Sequence, residues 1–247
     1  MQVWTWISPG PDSPLCNRVP DQRGPPGVLL MHVFAYGSLL FEPELPAALS
    51  DSVPATLCGY RRAFNKISRR RATPCTASFA AFPEVAETFC REGRNLSLAL
   101  GTEESVGQGI CGRLQSYPVA CAAELLTRLD EREGFSENRP LRENGYVRAE
   151  VVIELETGPV TSITYLTNPQ KDCVWTLPPE TDLALRAKIL INATPIEPGA
   201  GLARGLDYLE RTRVALRRND IKDLALETLA KEVLRFPGPW QDRLTLG

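Results

Sequence analysis

Histidine is nearly absent from this sequence, since its 247 residues include one histidine, His32. Seven cysteines are present, but they form no CxxC pair and no spacing with histidine that is typical of a metal site. A structural zinc site and a cysteine–histidine nucleophile pair are therefore poor interpretations, and we expect no metal. An enzyme of this composition that works near neutral pH would use a carboxyl group as its acid and base.

Long apolar runs are also missing, because no run approaches the roughly 20 residues that cross a bilayer. The sequence has no basic segment followed by an apolar one at its start, so it carries no secretory signal pattern. An odd cysteine count without such a signal favours reduced thiols. The formal net charge of −2 argues against a general nucleic-acid binder. We therefore predict a cytoplasmic protein with neither a membrane nor a nucleic acid as its partner.

The chain divides into two parts by composition. Residues 1–28 are rich in proline and glycine and show no periodic pattern. We expect them to be disordered or foreign to the native protein, which would then begin at Met31. Residues 29–240 are predicted to form a single domain. Its strands come first and its helices last, which favours an α+β fold over alternating βαβ units.

The hydrophobic patterns predict the following elements. We expect strands over 29–37, 55–67, 95–101, 108–117, 146–156 and 160–167. We expect helices over 42–49 and 118–134, the second stopped by Gly134. The prolines and Thr181 of "LPPETDLAL" indicate a further helix start, after which the chain is predicted to be mostly helical to about residue 236.

The predicted helix 118–134 carries a glutamate on its apolar side. Apolar residues recur at helical spacing from Val119 to Leu129, and the same face extends to Glu133. A carboxylate on a buried face is costly to keep ionised, and the negative end of the helix dipole disfavours its charge as well. A general base and acid near neutral pH needs this tuning. The alternative is that the helix frays before Glu133 and that the side chain is solvated.

The stretch "VFAYGSLLF", residues 33–41, interrupts an apolar strand with Gly37 and Ser38. A glycine lets a ligand approach the backbone, and successive N–H groups from Gly37 to Leu39 could turn towards one anion. Tyr36 adds a hydroxyl on an apolar ring. Taken alone, the stretch is explained as well by a β-bulge or by a turn that ends the strand.

The ordered combination of these features resembles the γ-glutamylcyclotransferases. That family opens with a strand ending in Tyr-Gly-Ser, as in Tyr36-Gly37-Ser38-Leu39 here. A Leu-Asp-x-x-Glu-Gly stretch follows, here "LDEREG" with Glu133, and then a glycine–tyrosine strand start, here "NGY" ending at Tyr146. A late helix contains Tyr-Leu, here "GLDYLERT" with Tyr208. The insertion "FSENRPLRE" departs from the ChaC branch, which acts on glutathione, whereas the C-terminal segment is ChaC-like.

The resemblance spans roughly residues 32–235 and implies a small mixed β-barrel or sheet with flanking helices. It implies a cofactor-independent enzyme that cyclises a small-molecule γ-glutamyl compound, such as glutathione or a γ-glutamyl peptide, to 5-oxoproline and releases the amine. Glu133 would be the catalytic acid and base. The substrate-binding residues that it implies are Tyr36, Gly37, Ser38, Leu39, Tyr146 and Tyr208.

A charged run, "RRAFNKISRRR", occupies residues 61–71. Such a run is most often a solvated face. It could also supply an arginine that binds a substrate carboxylate in bidentate fashion. Nucleic-acid binding is a more distant interpretation, because Phe64 is the one aromatic residue within the run.

Two other functions fit the same pattern of residues. The domain could bind a small anionic ligand without converting it, or it could act on γ-glutamylamines. In the second case the loop 134–145 would select the substrate.

Overall fold

A computed structural model describes residues 16–17, 29–75, 81–155, 158–195 and 203–244. The strands are β1 (Cys16–Asn17), β2 (Leu30–Ala35), β3 (Asp51–Pro74), β4 (Cys90–Arg91), β5 (Arg94–Pro118), β6 (Tyr146–Leu155) and β7 (Gly158–Thr167). The helices are α1 (Pro83–Phe89), α2 (Ala122–Glu133), α3 (Leu183–Asn192), α4 (Gly205–Arg218) and α5 (Leu224–Leu234). None of these helices is long and apolar enough to cross a membrane.

Five strands of the described ranges close into a barrel. The sheet order is β1-β2-β7-β6-β3-β5-β4, and β2 also pairs with β5, which joins the two sides of the sheet. The β2–β7 pairing is parallel, whereas β2–β5, β3–β5 and β6–β7 are antiparallel. The predicted α+β class, with a small mixed barrel and flanking helices, is confirmed.

Apolar residues on both faces of β2 explain its central position. One face of β2 packs against α2. The apolar cluster between them contains Met31, Val33 and Ala35 of the strand and Leu125 and Leu129 of the helix. Phe34, on the opposite face, belongs to a larger core that also includes residues of α3, α4 and α5. A strand that is buried on both faces has a nearly continuous apolar sequence.

Most predicted strands and helices are present, but one predicted break between strands and one predicted helix are not. The segments 95–101 and 108–117 belong to one strand, β5, because the glycines between them do not end it. The predicted helix 42–49 is wrong: this region contains only a 3₁₀ turn at Pro46–Ala48, preceded by Leu45 in a left-handed conformation. Pro46 disfavours the α region for the residue before it, which prevents a continuous helix.

The end of α2 agrees with the sequence. The helix stops at Glu133, and Gly134 takes the left-handed conformation with φ of 68°, the usual C-terminal cap of a helix. The prediction for residues 1–28 lies outside the described residues, apart from Cys16–Asn17, which pairs with the start of β2.

The one histidine lies in the barrel wall and makes stability depend on pH. His32 is buried, and its Nδ1 lies 3.0 Å from Ser116 Oγ. Its Nε2 is also buried and has no hydrogen-bond partner among the described residues. Burial lowers the pKa of His32 to about 4 from an ordinary value of 6.5. Between these two pH values the unfolded chain binds the proton and the folded chain does not, so the free energy of unfolding decreases as the pH falls.

We predict that acidification from pH 7.5 to pH 4 costs the wild type about 3 kcal/mol more in the free energy of unfolding than it costs His32→Gln. Urea titrations of both proteins at several pH values measure this difference, and the carboxyl groups that both proteins share cancel in it. Equal pH dependence in the two proteins would contradict the prediction.

Candidate active site

A pocket opens at the end of the barrel where β2 finishes, between the last turn of α2 and the start of β6. Strands β3, β5 and β7 line its walls, and α4 contributes one aromatic side chain. The pocket contains all seven residues that the resemblance implies, although they are spread over more than 170 positions of sequence. They are Tyr36, Gly37, Ser38, Leu39, Glu133, Tyr146 and Tyr208.

The chain leaves β2 at Tyr36 and forms a 3₁₀ turn over Ser38–Leu40, with Gly37 as its N-cap. The carbonyl of Tyr36 accepts a hydrogen bond of 2.9 Å from Arg62 Nε, and that of Leu39 accepts one of 2.9 Å from Gln115 Nε2. These bonds fix the turn from the side of its carbonyl groups. The first N–H groups of such a turn have no partner within it, so they can serve as donors to a ligand.

Gly37 leaves space that a side chain would fill. A Cβ atom built there lies 3.5 Å from Leu100 Cδ2 and 3.9 Å from the Tyr208 hydroxyl, which are ordinary contacts. The nearby Gly101 differs, because a Cβ there would lie 2.0 Å from Thr167 Oγ1 and 2.3 Å from Asn65 Oδ1. Gly101 is therefore required for packing, whereas Gly37 keeps part of the pocket open.

Glu133 is the last residue of α2, and its side chain is 16% exposed. Its Oε1 lies 3.7 Å from Arg132 Nε, too far for a hydrogen bond, and no other described residue donates one to this carboxylate. Arg132 is engaged elsewhere by Glu44, at 3.1 Å. The sequence correctly placed Glu133 on the inner side of the helix. It did not predict that Arg132 would lie beside this carboxylate.

The tyrosines of the pocket differ in what their hydroxyl groups do. Tyr36 donates to the carbonyl of Tyr165 at 2.6 Å, and Tyr146 donates to the carbonyl of Leu100 at 2.5 Å. Burial is the main cause that raises the pKa of both side chains, and the negative charge of Glu133 acts in the same direction. Both hydroxyl groups therefore stay protonated and hold the walls of the pocket.

Tyr208 differs from Tyr36 and Tyr146 in its hydroxyl group. Its ring is buried in the core beside Phe64, with ring centroids 5.6 Å apart. The guanidinium carbon of Arg71 lies 3.4 Å from the centre of the same ring, which is a close cation–π contact. No described residue forms a hydrogen bond with the Tyr208 hydroxyl, which faces Gly37 across the pocket.

The charged run 61–71 is part of β3, and its interpretation as one solvated face is wrong. Arg62 and Arg71 are buried, Lys66 is half-buried, and Arg61, Arg69 and Arg70 are exposed. Lys66, Arg70 and Arg71 line the pocket. Sequence reasoning noted that an arginine of the run could bind a carboxylate, but it did not single out any member, and it did not consider Lys66.

The fold is shared with an enzyme of known structure. The selenomethionine-labelled crystal structure of the γ-glutamyl cyclotransferase specific to glutathione from yeast matches this chain with a TM-score of 0.59 and 19% identity. The match covers 83% of this chain and 96% of the yeast chain. A second crystal structure of that yeast protein gives a TM-score of 0.54 and 17% identity, over 83% and 98% of the two chains. No protein-family model and no curated sequence matches this chain.

We predict that Gly37→Ala folds normally and loses affinity for 5-oxoproline, the product that the resemblance implies. The added methyl group contacts only Leu100 and Tyr208 at ordinary distances, so the free energy of unfolding should change by less than about 1 kcal/mol. The same methyl group takes ligand space, and affinity should fall about tenfold or more. Calorimetric titration and thermal unfolding measure the two effects.

Gly101→Ala is the matched control, because its methyl group would overlap Thr167 and Asn65 and should lower stability by several kcal/mol. Unchanged affinity in a folded Gly37→Ala protein would exclude this part of the pocket as the ligand site.

Proposed function

We propose that this protein is a γ-glutamylcyclotransferase, which converts a γ-glutamyl compound into 5-oxoproline and a free amine. The observation that carries the proposal is Glu133, a shielded carboxylate without a hydrogen-bond donor among the described residues, in the same pocket as the Gly37–Leu39 backbone. The shared fold with the yeast enzyme supports it. The proposed route uses no cofactor.

Glu133 begins the proposed reaction by taking a proton from the α-ammonium group of the substrate. The neutral amine then attacks the γ-carbonyl carbon of the same molecule, which forms a five-membered ring. Holding the substrate in a curled conformation makes this intramolecular step fast. The N–H groups of Gly37, Ser38 and Leu39 stabilise the negative charge that develops on the carbonyl oxygen.

The second half of the reaction returns the proton. The nitrogen that attacked still carries two hydrogens and is positively charged in the tetrahedral intermediate. Glu133 donates its proton to the leaving nitrogen as the bond from the γ-carbon to that nitrogen breaks. The regenerated carboxylate then takes the extra proton from the ring nitrogen and passes it to the released amine, which leaves as an ammonium ion together with 5-oxoproline. One carboxyl group thus acts as base and as acid in turn, and the net reaction neither consumes nor releases a proton.

The tyrosines have separate tasks in this proposal. Tyr36 and Tyr146 shape the cavity, since their hydroxyl protons are already donated to main-chain carbonyls. The Tyr208 hydroxyl, which lies opposite Gly37 and has no hydrogen-bond partner in the described part of the chain, contacts the substrate. Arg71 is fixed by its bond to the Ala203 carbonyl at 2.8 Å and by the Tyr208 ring.

Glutathione is the substrate we propose first. Its glycyl end carries a second carboxylate, and the remaining donors of Arg71 suit such a group. The yeast protein with the same fold is described as specific to glutathione. γ-Glutamyl dipeptides are alternatives of the same class, and γ-glutamylamines, which lack that carboxylate, would gain nothing from Arg71.

We predict that Glu133→Gln lowers kcat/KM for glutathione or a γ-glutamyl dipeptide by about 100-fold or more, because the amide cannot accept the proton. The assay measures 5-oxoproline over a panel of glutathione, γ-glutamyl dipeptides and γ-glutamylamines. Glu131→Gln is the matched control, since Glu131 is an exposed residue of the same helix and the substitution removes the same charge.

Full activity in Glu133→Gln, or no 5-oxoproline from any member of the panel, would overturn the proposed function. A γ-glutamyl compound that raises the melting temperature and stays chemically unchanged would instead favour a non-catalytic binding domain.

A further inference from the structure

A bulge in β3 turns Lys66 towards the pocket. Phe64 pairs with Leu100 and Lys66 pairs with Ala99, so the two residues of β3 oppose neighbours on β5, and Asn65 is extra. Directly paired side chains share a face and neighbours in a strand alternate, so the bulge puts Lys66 on the face opposite to Phe64. Bulges often redirect a side chain next to an active site.

The stem of Lys66 is held in place on the wall of the pocket. A Cβ atom at Gly145 would lie 2.6 Å from Lys66 Cε and 3.1 Å from Trp175 Cβ, so the side chain crosses a position where only glycine leaves room. Its Nζ lies 4.9 Å from the centre of the Tyr146 ring. The backbone beside it is fixed as well, because Ile67 N–H donates to the Trp175 carbonyl at 2.7 Å.

The ammonium group itself has no hydrogen-bond acceptor among the residues that the structure describes. The charged and titratable groups that face it are Glu133 from α2, Arg70 and Arg71 from its own strand, and Cys173. An ammonium group that is partly shielded from water normally has acceptors in the protein, because it carries three donors and loses part of its solvation. The pocket is therefore complementary to an added anion at this point.

Lys66 and Glu133 together match one chemical group. The γ-glutamyl moiety carries its ammonium and its carboxylate on a single carbon atom, and these two side chains offer opposite charges within one pocket. If Glu133 takes the ammonium, the neighbouring cation is placed for the carboxylate. The backbone of Gly37–Leu39 is then left for the oxygen of the γ-carbonyl group.

We propose that Lys66 determines specificity by binding the α-carboxylate of the γ-glutamyl group, so that substrates must carry this carboxylate in its free form. The inference rests on the proposed function and deepens it. Arg71 is left for carboxylates elsewhere in the substrate, and the loss of Lys66 affects recognition of the γ-glutamyl group itself.

The test compares two probes, γ-glutamylglycine and its analogue in which the α-carboxylate is a carboxamide. The wild type should prefer the first in kcat/KM by about 10- to 100-fold, which corresponds to one hydrogen-bonded charge pair. Lys66→Met, which retains the length and the apolar stem, should lower kcat/KM for the carboxylate by that factor and leave the carboxamide unchanged. Lys231→Met, a change on an exposed face of α5, is the matched control.

A binding measurement makes the inference independent of turnover. Calorimetric affinities of the same two probes for the wild type and Lys66→Met should show the same preference and the same loss, even if neither probe is converted. A preference that survives in folded Lys66→Met would overturn the role of Lys66 and leave the proposed function intact. Equal losses for both probes would also overturn it, since they indicate a structural defect. Absence of both binding and turnover in the wild type would overturn both proposals.

The pH dependence supplies a second readout. Burial lowers the pKa of Lys66 to about 8, although the Glu133 charge acts in the opposite direction. The ammonium is therefore lost as the pH rises through about 8, and affinity for the carboxylate probe should fall there while affinity for the carboxamide does not. Lys66→Arg stays charged and should remove this fall. An identical fall in Lys66→Arg would contradict the assignment.

Discussion

The buried guanidinium of Arg62 is the interaction on which the arrangement of this protein depends. Its Nε donates to the Tyr36 carbonyl at 2.9 Å, one terminal nitrogen pairs with Asp223 Oδ2 at 3.0 Å, and the other donates to the Cys111 carbonyl. A charge with 3% of its side chain exposed is tolerable only when it is paired and hydrogen-bonded. The end of β2, the middle of β5 and the start of α5 must therefore meet at one place.

The same contact orients the turn that begins the pocket. Arg62 holds the carbonyl of Tyr36, the residue that directly precedes the Gly37–Leu39 segment lining the pocket. Asp223 fixes the far end of the contact, since its Oδ1 also accepts from Leu226 N–H at 3.1 Å and caps α5. Helix α5 thus supports the turn that follows β2. The bulge in β3 lets the same strand contribute Arg62 to this contact and Lys66 to the pocket. Arg62 holds the backbone at Tyr36, and Lys66 lines the pocket.

The sequence predicted those residues of the candidate site that stand out from the pattern of their own strand or helix. Gly37 interrupts an apolar strand, and Glu133 extends an apolar helix face. Both can be recognised from the sequence because the strand and helix periods are set by neighbouring residues. Lys66 gave no such signal. It stands in a run of cations that is ordinarily solvated, and the bulge at Asn65, which decides its face, is set by pairing with β5. The predicted break between the strands 95–101 and 108–117 was wrong, because Gly101 makes room for Thr167 and does not end a strand.

The charges in the pocket favour Glu133 as the group that would move protons in the proposed reaction. Tyr36 and Tyr146 keep their protons, because burial raises the pKa of both and their hydroxyl groups are bound to carbonyls. Lys66, whose pKa burial lowers to about 8, is mainly cationic at neutral pH, and the role proposed for it is to bind a carboxylate. The other carboxylate of the described lining, Glu42, has one oxygen 3.5 Å from Arg132 and the other 2.9 Å from Arg211. Arg132 and Arg211 thus already bind Glu42, whereas no described residue donates a hydrogen bond to Glu133, and this difference favours Glu133 for the proton transfers that we propose.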